Sequence, residues 1–378
     1  MSRKVQRSIS QLVFFCAILF FILYLNRPQS RDKTFSWTKV RYKTRAVALP
    51  EARGICPKLS GSKKPALVVS RVEADGDSTW INALAKRYHL CVYNVDAPID
   101  TSSHHLQVPA NRGHEAMTYL TFLIDNYDEI PAAGAVFVHG SRWAWHNDAP
   151  DYDNAALLAA LDIPRALEPW GYHNLRCDWS VSTCLPSAPA QGSLELRLQS
   201  AVAPWSARAA SDIALPGALV SIFGGDGSEY LAAQTSASLT LGRTETVRAQ
   251  CCAQFVVSRE RIWQHTRDEY IALRQWLLDG ADSNNGPRAR NNKAAPSDDR
   301  VAGRILSYLW HILFAKQTAE GAIHLDQLNK EACPSAAECY CRLYGRCDLQ
   351  CPNPGTCRGQ YQVPPYFRLP DDWAATHS

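Results

Sequence analysis

Gly134-Ala-Val-Phe-Val-His139-Gly140-Ser-Arg-Trp143-Ala-Trp145-His146-Asn147-Asp148 is the stretch on which the fold turns. Its first half is a short apolar run entered through a glycine. Such a run is too brief for a helix and reads as a strand buried on both faces, the usual state in a parallel sheet. Its second half packs two histidines, two tryptophans, an arginine and an aspartate into ten residues. In parallel sheets ligands sit beyond the carboxyl ends of the strands, so this loop is the first candidate site. His139 and His146 can transfer protons or bind metal. The tryptophans can stack on an apolar sugar face or a base. The plain alternative is a loop whose aromatics cap the core and whose histidines bond to backbone.

Working outward, strands and helices alternate. Residues 65–71 and 90–93 read as strands, and 79–88 between them has helical spacing. Residues 113–127 are expected as an amphipathic helix with Met117, Leu120, Leu123 and Ile124 on one face. Beyond the loop come helices at 155–161, 260–265, 270–278 and 305–314, with a strand at 254–258. The alternation predicts an α/β fold, a mainly parallel sheet flanked by helices.

Three more clusters follow from that reading. Arg71, Glu73, Asp75, Asp77 and Trp80 come after the first strand. The carboxylates can hold a metal or a ribose, or can simply form a turn with Ser78 or Thr79 as helix cap. Arg112-Gly113-His114-Glu115 opens the 113–127 helix, whose free N–H groups suit an anion such as a diphosphate. Glu115 equally suits the helix dipole by itself. His311 sits alone in an apolar helix, where a satisfied core histidine competes with a functional one.

The N-terminus is of another kind. A basic start, residues 1–8, precedes the apolar stretch 9–25, with no small-x-small cleavage site after it. This predicts a cytosolic tail and an uncleaved transmembrane signal anchor, short enough for the thin membranes of the endoplasmic reticulum or Golgi. Residues 26–64 read as a basic stalk, 65–330 as one domain with a disordered loop at 281–299, and 331–378 as a cysteine-rich tail. Residues 1–64 carry fourteen Lys/Arg against two Asp/Glu, and the remainder 26 against 34. The basic excess thus belongs to the membrane-proximal part, and the mildly acidic remainder excludes a nucleic acid polymer as partner.

Of thirteen cysteines, Cys16 lies in the apolar run, which leaves an even twelve. Six crowd the tail, from Cys333 to Cys357, at spacings unlike a zinc site and with no histidine among them. A disulfide-rich tail is expected, with connectivity left open. Disulfides imply an oxidising compartment, hence a type II protein with a lumenal domain.

Taken together, Glu73…Ser78-Thr79-Trp80, Gly113-His114-Glu115-Ala…Tyr119-Leu, Asn126-Tyr127-Asp128, Val136-Phe-Val-His139-Gly140…Trp145-His146, Leu175-Arg176-Cys177, Cys252-Ala-Gln254-Phe-Val-Val-Ser258-Arg259 and Tyr308-Leu-Trp310-His311-Ile-Leu-Phe314 resemble the fungal domain-of-unknown-function family 3431 over roughly residues 65–350. The resemblance implies a glutamate three residues before Trp310, where this chain has Ser307. The order of elements also resembles nucleotide-sugar glycosyltransferases of the GT-A type, as does the tail, anchor and stalk architecture. That resemblance implies a nucleotide-sugar donor, a glycan or small-molecule acceptor and, in its usual form, a divalent metal on an Asp-x-Asp motif after the central strand. Here that place reads His139-Gly140-Ser141, and Asp75-Gly76-Asp77 has the spelling but follows the first strand.

On this reading Arg71, Glu73, Asp75, Asp77, Trp80, Arg112, Gly113 and Gln254 are expected to bind the donor. Glu115, His139, His146 and His311 are expected to act in catalysis. Two other classes compete. One is a metal-dependent tailoring enzyme with His139, His146 and His311 as ligands. The other is a non-catalytic glycan-binding protein of the secretory pathway.

Overall fold

The structure, a computed structural model, describes residues 3–25, 34–35, 39–44, 46–97, 99–103, 105–191, 193–224, 246–281, 294–317 and 323–362. In chain order the elements are helix α1 (Arg3–Leu25), strands β1 (Thr34–Phe35), β2 (Ala66–Arg71), β3 (His89–Asn94) and β4 (Leu106–Gln107), then helix α2 (Glu115–Asp125) and strand β5 (Ala135–His139). Helices α3 (Asn154–Ala160) and α4 (Ile163–Leu167) lead to β6 (Tyr172–Asn174), followed by α5 (Leu194–Val202), α6 (Ala207–Phe223) and β7 (Phe255–Val257). Helices α7 (Arg259–Ile262), α8 (Arg267–Asp279), α9 (Asp299–Ser307) and α10 (Trp310–Leu313) precede β8 (Ile323–His324). Helices α11 (Leu325–Ala332) and α12 (Ala336–Tyr344) and the hairpin β9 (Gln350–Asn353)–β10 (Thr356–Arg358) complete the order.

Six strands form the central sheet in the order β4-β3-β2-β5-β7-β6. The pairings among β4, β3, β2 and β5 are parallel. β7 runs antiparallel to both β5 and β6. The sheet is therefore mixed rather than simply parallel, with one reversed strand. The reversal follows from where the chain enters β7. The Cys252 carbonyl already touches His139, at the carboxyl end of β5, so from there the chain can only descend.

The apolar runs are continuous because the sheet is covered on both faces. Ala66, Val68, Ala135 and Phe137 point into one core, with residues of α2, α8 and α9. Leu67, Val69, Val136 and Val138 point into the other, with residues of α3, α4 and α12. This is the two-residue strand period at work. The helix α2 departs from its expected single apolar face: every residue from Ala116 to Ile124 is buried. Of its polar members, Thr118 is paired inside, its Oγ1 lying 2.9 Å from Ser70 Oγ.

Other boundaries moved for local reasons. Residues 79–86 form a 3-10 helix rather than an α-helix. The expected 305–314 helix is two, interrupted at Tyr308 and Leu309. Trp310 and Phe314 then stack at 6.3 Å within the aromatic cluster around Phe255. Of the loop expected at 281–299, residues 282–293 lie outside the described residues. Residues 294–299 are ordered, with Ala295 buried and donating to the Trp276 carbonyl at 3.0 Å. Within the expected stalk, Val40, Tyr42, Cys56 and Leu59 are buried in the first core, and Val40 N–H donates to Glu269 at 2.9 Å. Val40, Tyr42, Cys56 and Leu59 therefore pack as part of the folded body.

All twelve cysteines outside the apolar run are bonded. Cys56 pairs with Cys91, Cys177 with Cys339, and Cys184 with Cys333. Cys341–Cys347 and Cys351–Cys357 close small loops in the tail, and Cys251 pairs with its neighbour Cys252. The tail is thus not a separate module. Two of its six cysteines cross to the main domain, which it covers. The last residues, from 363, lie outside the described ones. At the other end, Val5–Tyr24 is long and apolar enough to cross a membrane, and none of it is buried. That helix can serve as a signal anchor, and the disulfides fit a secretory or lumenal domain.

Candidate active site

Two cavities open at the carboxyl ends of β2 and β5. The larger, about 320 Å³, is lined by Glu115, His139, Trp145, His146, Gln250, the Cys251–Cys252 pair, Arg208, Arg300 and Arg304, among others. The smaller, about 220 Å³, includes Ser70, Asp75, Asn111 and Ser141. His114, Glu115, His139 and His146 belong to both, so these four side chains stand where the cavities meet.

His139 is the best-held of them. Its Nε2 lies 2.7 Å from the Cys252 carbonyl. A carbonyl only accepts, so Nε2 carries a proton, and in the neutral ring Nδ1 carries the lone pair. Nδ1 lies 3.9 Å from Glu115 Oε2. The His139 backbone N–H donates to Gln254 Oε1 at 3.3 Å. The His146 ring meets the His139 ring edge to face at 4.7 Å. Burial, then the neighbouring His139 and Arg176, push the His146 pKa well below the usual histidine value. His146 is therefore neutral at neutral pH. Its Nε2 has no hydrogen-bond partner among the described residues. Trp145, 41% exposed, stands at the cavity wall against His146. Trp143 is instead covered by the Arg142 guanidinium at 4.6 Å.

Gly140 makes the junction possible. A Cβ there would lie 2.6 Å from Asp75 Oδ2 and 2.8 Å from Arg71 Cα. Only a glycine lets the loop after β5 cross so close to the end of β2.

Several residues singled out from sequence have structural duties instead. Gln254 is buried and ties three segments together: it accepts from His139 N–H and from Asn154 Nδ2 at 3.2 Å, and donates to Asn147 Oδ1 at 3.1 Å. It positions His139 and lines neither cavity. Arg112 is buried and donates to the carbonyls of Leu277, Pro296 and Ser297 and to Asp299. The Gly113 N–H is taken by Asp299 Oδ1 at 2.5 Å, and a Cβ on Gly113 would meet Leu277 Cδ2 at 2.5 Å. The Gly113 N–H at the start of this helix is thus taken by a carboxylate of the protein itself and is not free for a diphosphate.

Trp80 belongs to the second core. Arg71 bonds Asn94 Oδ1 and the Gly76 carbonyl, both at 3.1 Å. Glu73 is exposed, and its N–H donates to Asp96. Asp77 accepts from Thr79, whose hydrogen bonds lower its pKa, so it is a turn cap. Arg71, Glu73, Asp77 and Trp80 line neither cavity. Of that cluster only Asp75 reaches a cavity wall, and its Oδ2 already accepts from Val72 N–H at 2.9 Å. His311 is buried elsewhere, lining a separate recess with Trp170, Tyr172 and Glu331. Burial pushes its pKa down to about 3, and it cannot join His139 and His146 as a ligand set.

The donors do not assemble into a divalent metal site. Among the described residues the tight three-donor group is Cys56, His89 and Cys91, and its cysteines are spent in a disulfide. Asp75 and Asp77 are occupied by backbone and Thr79, and His139 Nε2 by a carbonyl.

Sequence reasoning missed the far wall of the larger cavity. Arg300 and Arg304 stand one turn apart on α9, and Arg208 projects from α6. The four-residue spacing of Arg300 and Arg304 and the Cys251-Cys252 doublet were the available signals. Ser307 also lines this cavity, its Oγ donating to the Arg304 carbonyl at 2.7 Å. The departure from the expected glutamate therefore falls in the site and not beside His311.

The molecule is thus an α/β protein with a two-lobed cleft at the strand ends. Residues 67–342 match the family described as protein of unknown function DUF3431, and the chain belongs to that family. Comparison with curated proteins and with solved structures finds no match.

Proposed function

We propose that this protein is a membrane-anchored lumenal enzyme of the endoplasmic reticulum or Golgi that transfers a sugar from a nucleotide sugar to a hydroxyl-bearing acceptor. The observation that carries the reading is the junction of the two cavities at His139, whose tautomer is set by the Cys252 carbonyl and whose Nδ1 faces Glu115. Two ligands entering from the two sides would meet there. As the acceptor oxygen forms its bond to the anomeric carbon, the bond from that carbon to the phosphate oxygen breaks. The electron pair leaves with the nucleoside diphosphate, and the acceptor proton passes to Nδ1. Glu115 then faces the imidazolium and stabilises it. Trp145 offers an aromatic face to a sugar ring. The succession of acidic turn, helix, strand and polar loop supports the same reading, as does the apolar N-terminal helix.

The test uses the full-length protein in detergent with a panel of nucleotide sugars, followed by release of nucleoside diphosphate. His139→Ala is expected to lower turnover at least about 100-fold, the range for loss of a general base. A panel in which nothing binds or turns over removes the reading. It would leave the glycan-binding alternative, which the exposed Trp145 face favours.

A further inference from the structure

We infer that Arg208, Arg304 and Gln250, with Arg300 at the rim, form a seat for a phosphoryl group in the larger cavity. This deepens the transferase reading and rests on it for the carrier of that group.

Charge divides the cleft. The charged side chains lining the larger cavity are Arg208, Arg300, Arg304 and the shared Glu115. Those lining the smaller are Asp75 and Glu115, with no lysine or arginine. An anionic group goes to the first lobe and a neutral, hydroxyl-rich one to the second.

Unused donors say the same. Gln250 is a buried residue whose Nε2 has no partner among the described residues, and Arg304 Nε is likewise buried and unpartnered. Both are N–H groups awaiting an acceptor, and leaving such groups unmet is costly. Arg304 is held for the purpose: its Nη2 donates to the Tyr308 hydroxyl at 3.1 Å, and that hydroxyl donates to Asp212 Oδ1 at 2.7 Å. Asp212 also lies 4.0 Å from Arg208 Nε, so both guanidiniums stand near one carboxylate, Arg304 through the Tyr308 hydroxyl. A phosphoryl oxygen set supplies acceptors for all of these donors at once, and arginine forks match that geometry. With the Gly113 N–H taken by Asp299, the cationic place for a diphosphate is here.

The probe is inorganic pyrophosphate, titrated calorimetrically into the full-length protein in detergent at low and at high salt. Arg208→Gln removes a half-exposed side chain with little packing. Gln250→Leu removes a donor with no partner among the described residues, so its melting temperature should hold or rise while binding falls. Arg165→Gln, on α4 and exposed, controls for net charge. We expect each of the first two to weaken pyrophosphate about tenfold or more, with no change in the control. No binding by the wild type, or equal loss in Arg165→Gln, or no loss in the two seat variants, overturns the proposal.

Two further arms name the source. Tighter binding of a nucleoside diphosphate than of a sugar monophosphate assigns the seat to the donor, and the reverse order assigns it to a phosphorylated acceptor. Seat-dependent pyrophosphate binding with no turnover of any nucleotide sugar upholds the seat and overturns the transferase reading. Turnover indifferent to Arg208 and Gln250 does the opposite.

Discussion

Replacing Gln254 with leucine tests whether this residue positions the site or binds a ligand. The two side chains are similar in size, so no large cavity opens. Three hydrogen bonds vanish, to His139 N–H, Asn154 Nδ2 and Asn147 Oδ1. Asn147 and Asn154 are fully buried, and their orphaned groups cannot turn to water. Each buried group left unpaired costs about 1–3 kcal/mol, so the substitution should destabilise by about 3–9 kcal/mol. At roughly 2 °C per kcal/mol for a domain of this size, melting should fall by about 6–18 °C. Tryptophan fluorescence of the full-length protein through a guanidinium titration gives the free energy directly, and a thermal scan gives the midpoint. A loss below about 1 kcal/mol would refute the clamp. Loss of ligand binding at unchanged stability would return Gln254 to the ligand-contacting role expected from sequence.

Three other outcomes follow from the same geometry. Burial holds His311 and His173 neutral, with pKa values pushed down to about 3 and about 4. The unfolded chain takes up these protons near pH 6.5 and the folded one does not, so stability is full above that pH and falls as pH drops towards the folded values. Each histidine contributes a slope of about 1.4 kcal/mol per pH unit, and His311→Leu should flatten the stability profile between about pH 6 and pH 4 by that amount. An unchanged slope would show that His311 is not buried neutral. Cys177→Ser with Cys339→Ser opens a bridge spanning 162 residues, whereas Cys341→Ser with Cys347→Ser opens one spanning 6. Because the nested Cys184–Cys333 bridge stays closed, the first loop opened is effectively about 13 residues, so chain entropy puts the losses at about 3 and about 2 kcal/mol, and denaturant midpoints in the reverse order would contradict the pinned tail. Gly113→Ala puts a Cβ against Leu277 at a φ of +71°. A left-handed residue costs about 1–2 kcal/mol and overpacking about 1–3, so a loss of about 2–5 kcal/mol is expected, read in the same guanidinium titration.

The legible parts of this chain were those with local causes. The runs at β2 and β5 are apolar because each strand meets two covered faces, and that shows in any window of five residues. The even count of cysteines outside the apolar helix pointed to disulfides before any pairing was known. His139, His146 and Glu115 were found together because the carboxyl end of a parallel strand is where side chains of successive loops converge. Arg112, Gly113 and Gln254 hold internal contacts that the sequence did not show, for one common reason. Residue type and position suited a ligand, but the partners that occupy them, Asp299, Asn147 and Asn154, come from distant segments. The arginine wall was invisible because Arg208 and Arg304 are ordinary helix-surface residues until α6 and α9 face the same cavity.

The sequence by itself determined the α/β class and the main strands β2, β3 and β5, the apolar N-terminal helix, the oxidised cysteines and the family. These rest on periodicity, composition and short spacings, which a chain carries whether folded or not. Only the tertiary structure decided that β7 is reversed, that Cys333 and Cys339 leave the tail to bind Cys184 and Cys177, and that His311 lies apart from His139. It also decided that positive charge gathers in one lobe of the cleft. Those outcomes depend on which distant segments share a face, and no local pattern encodes that.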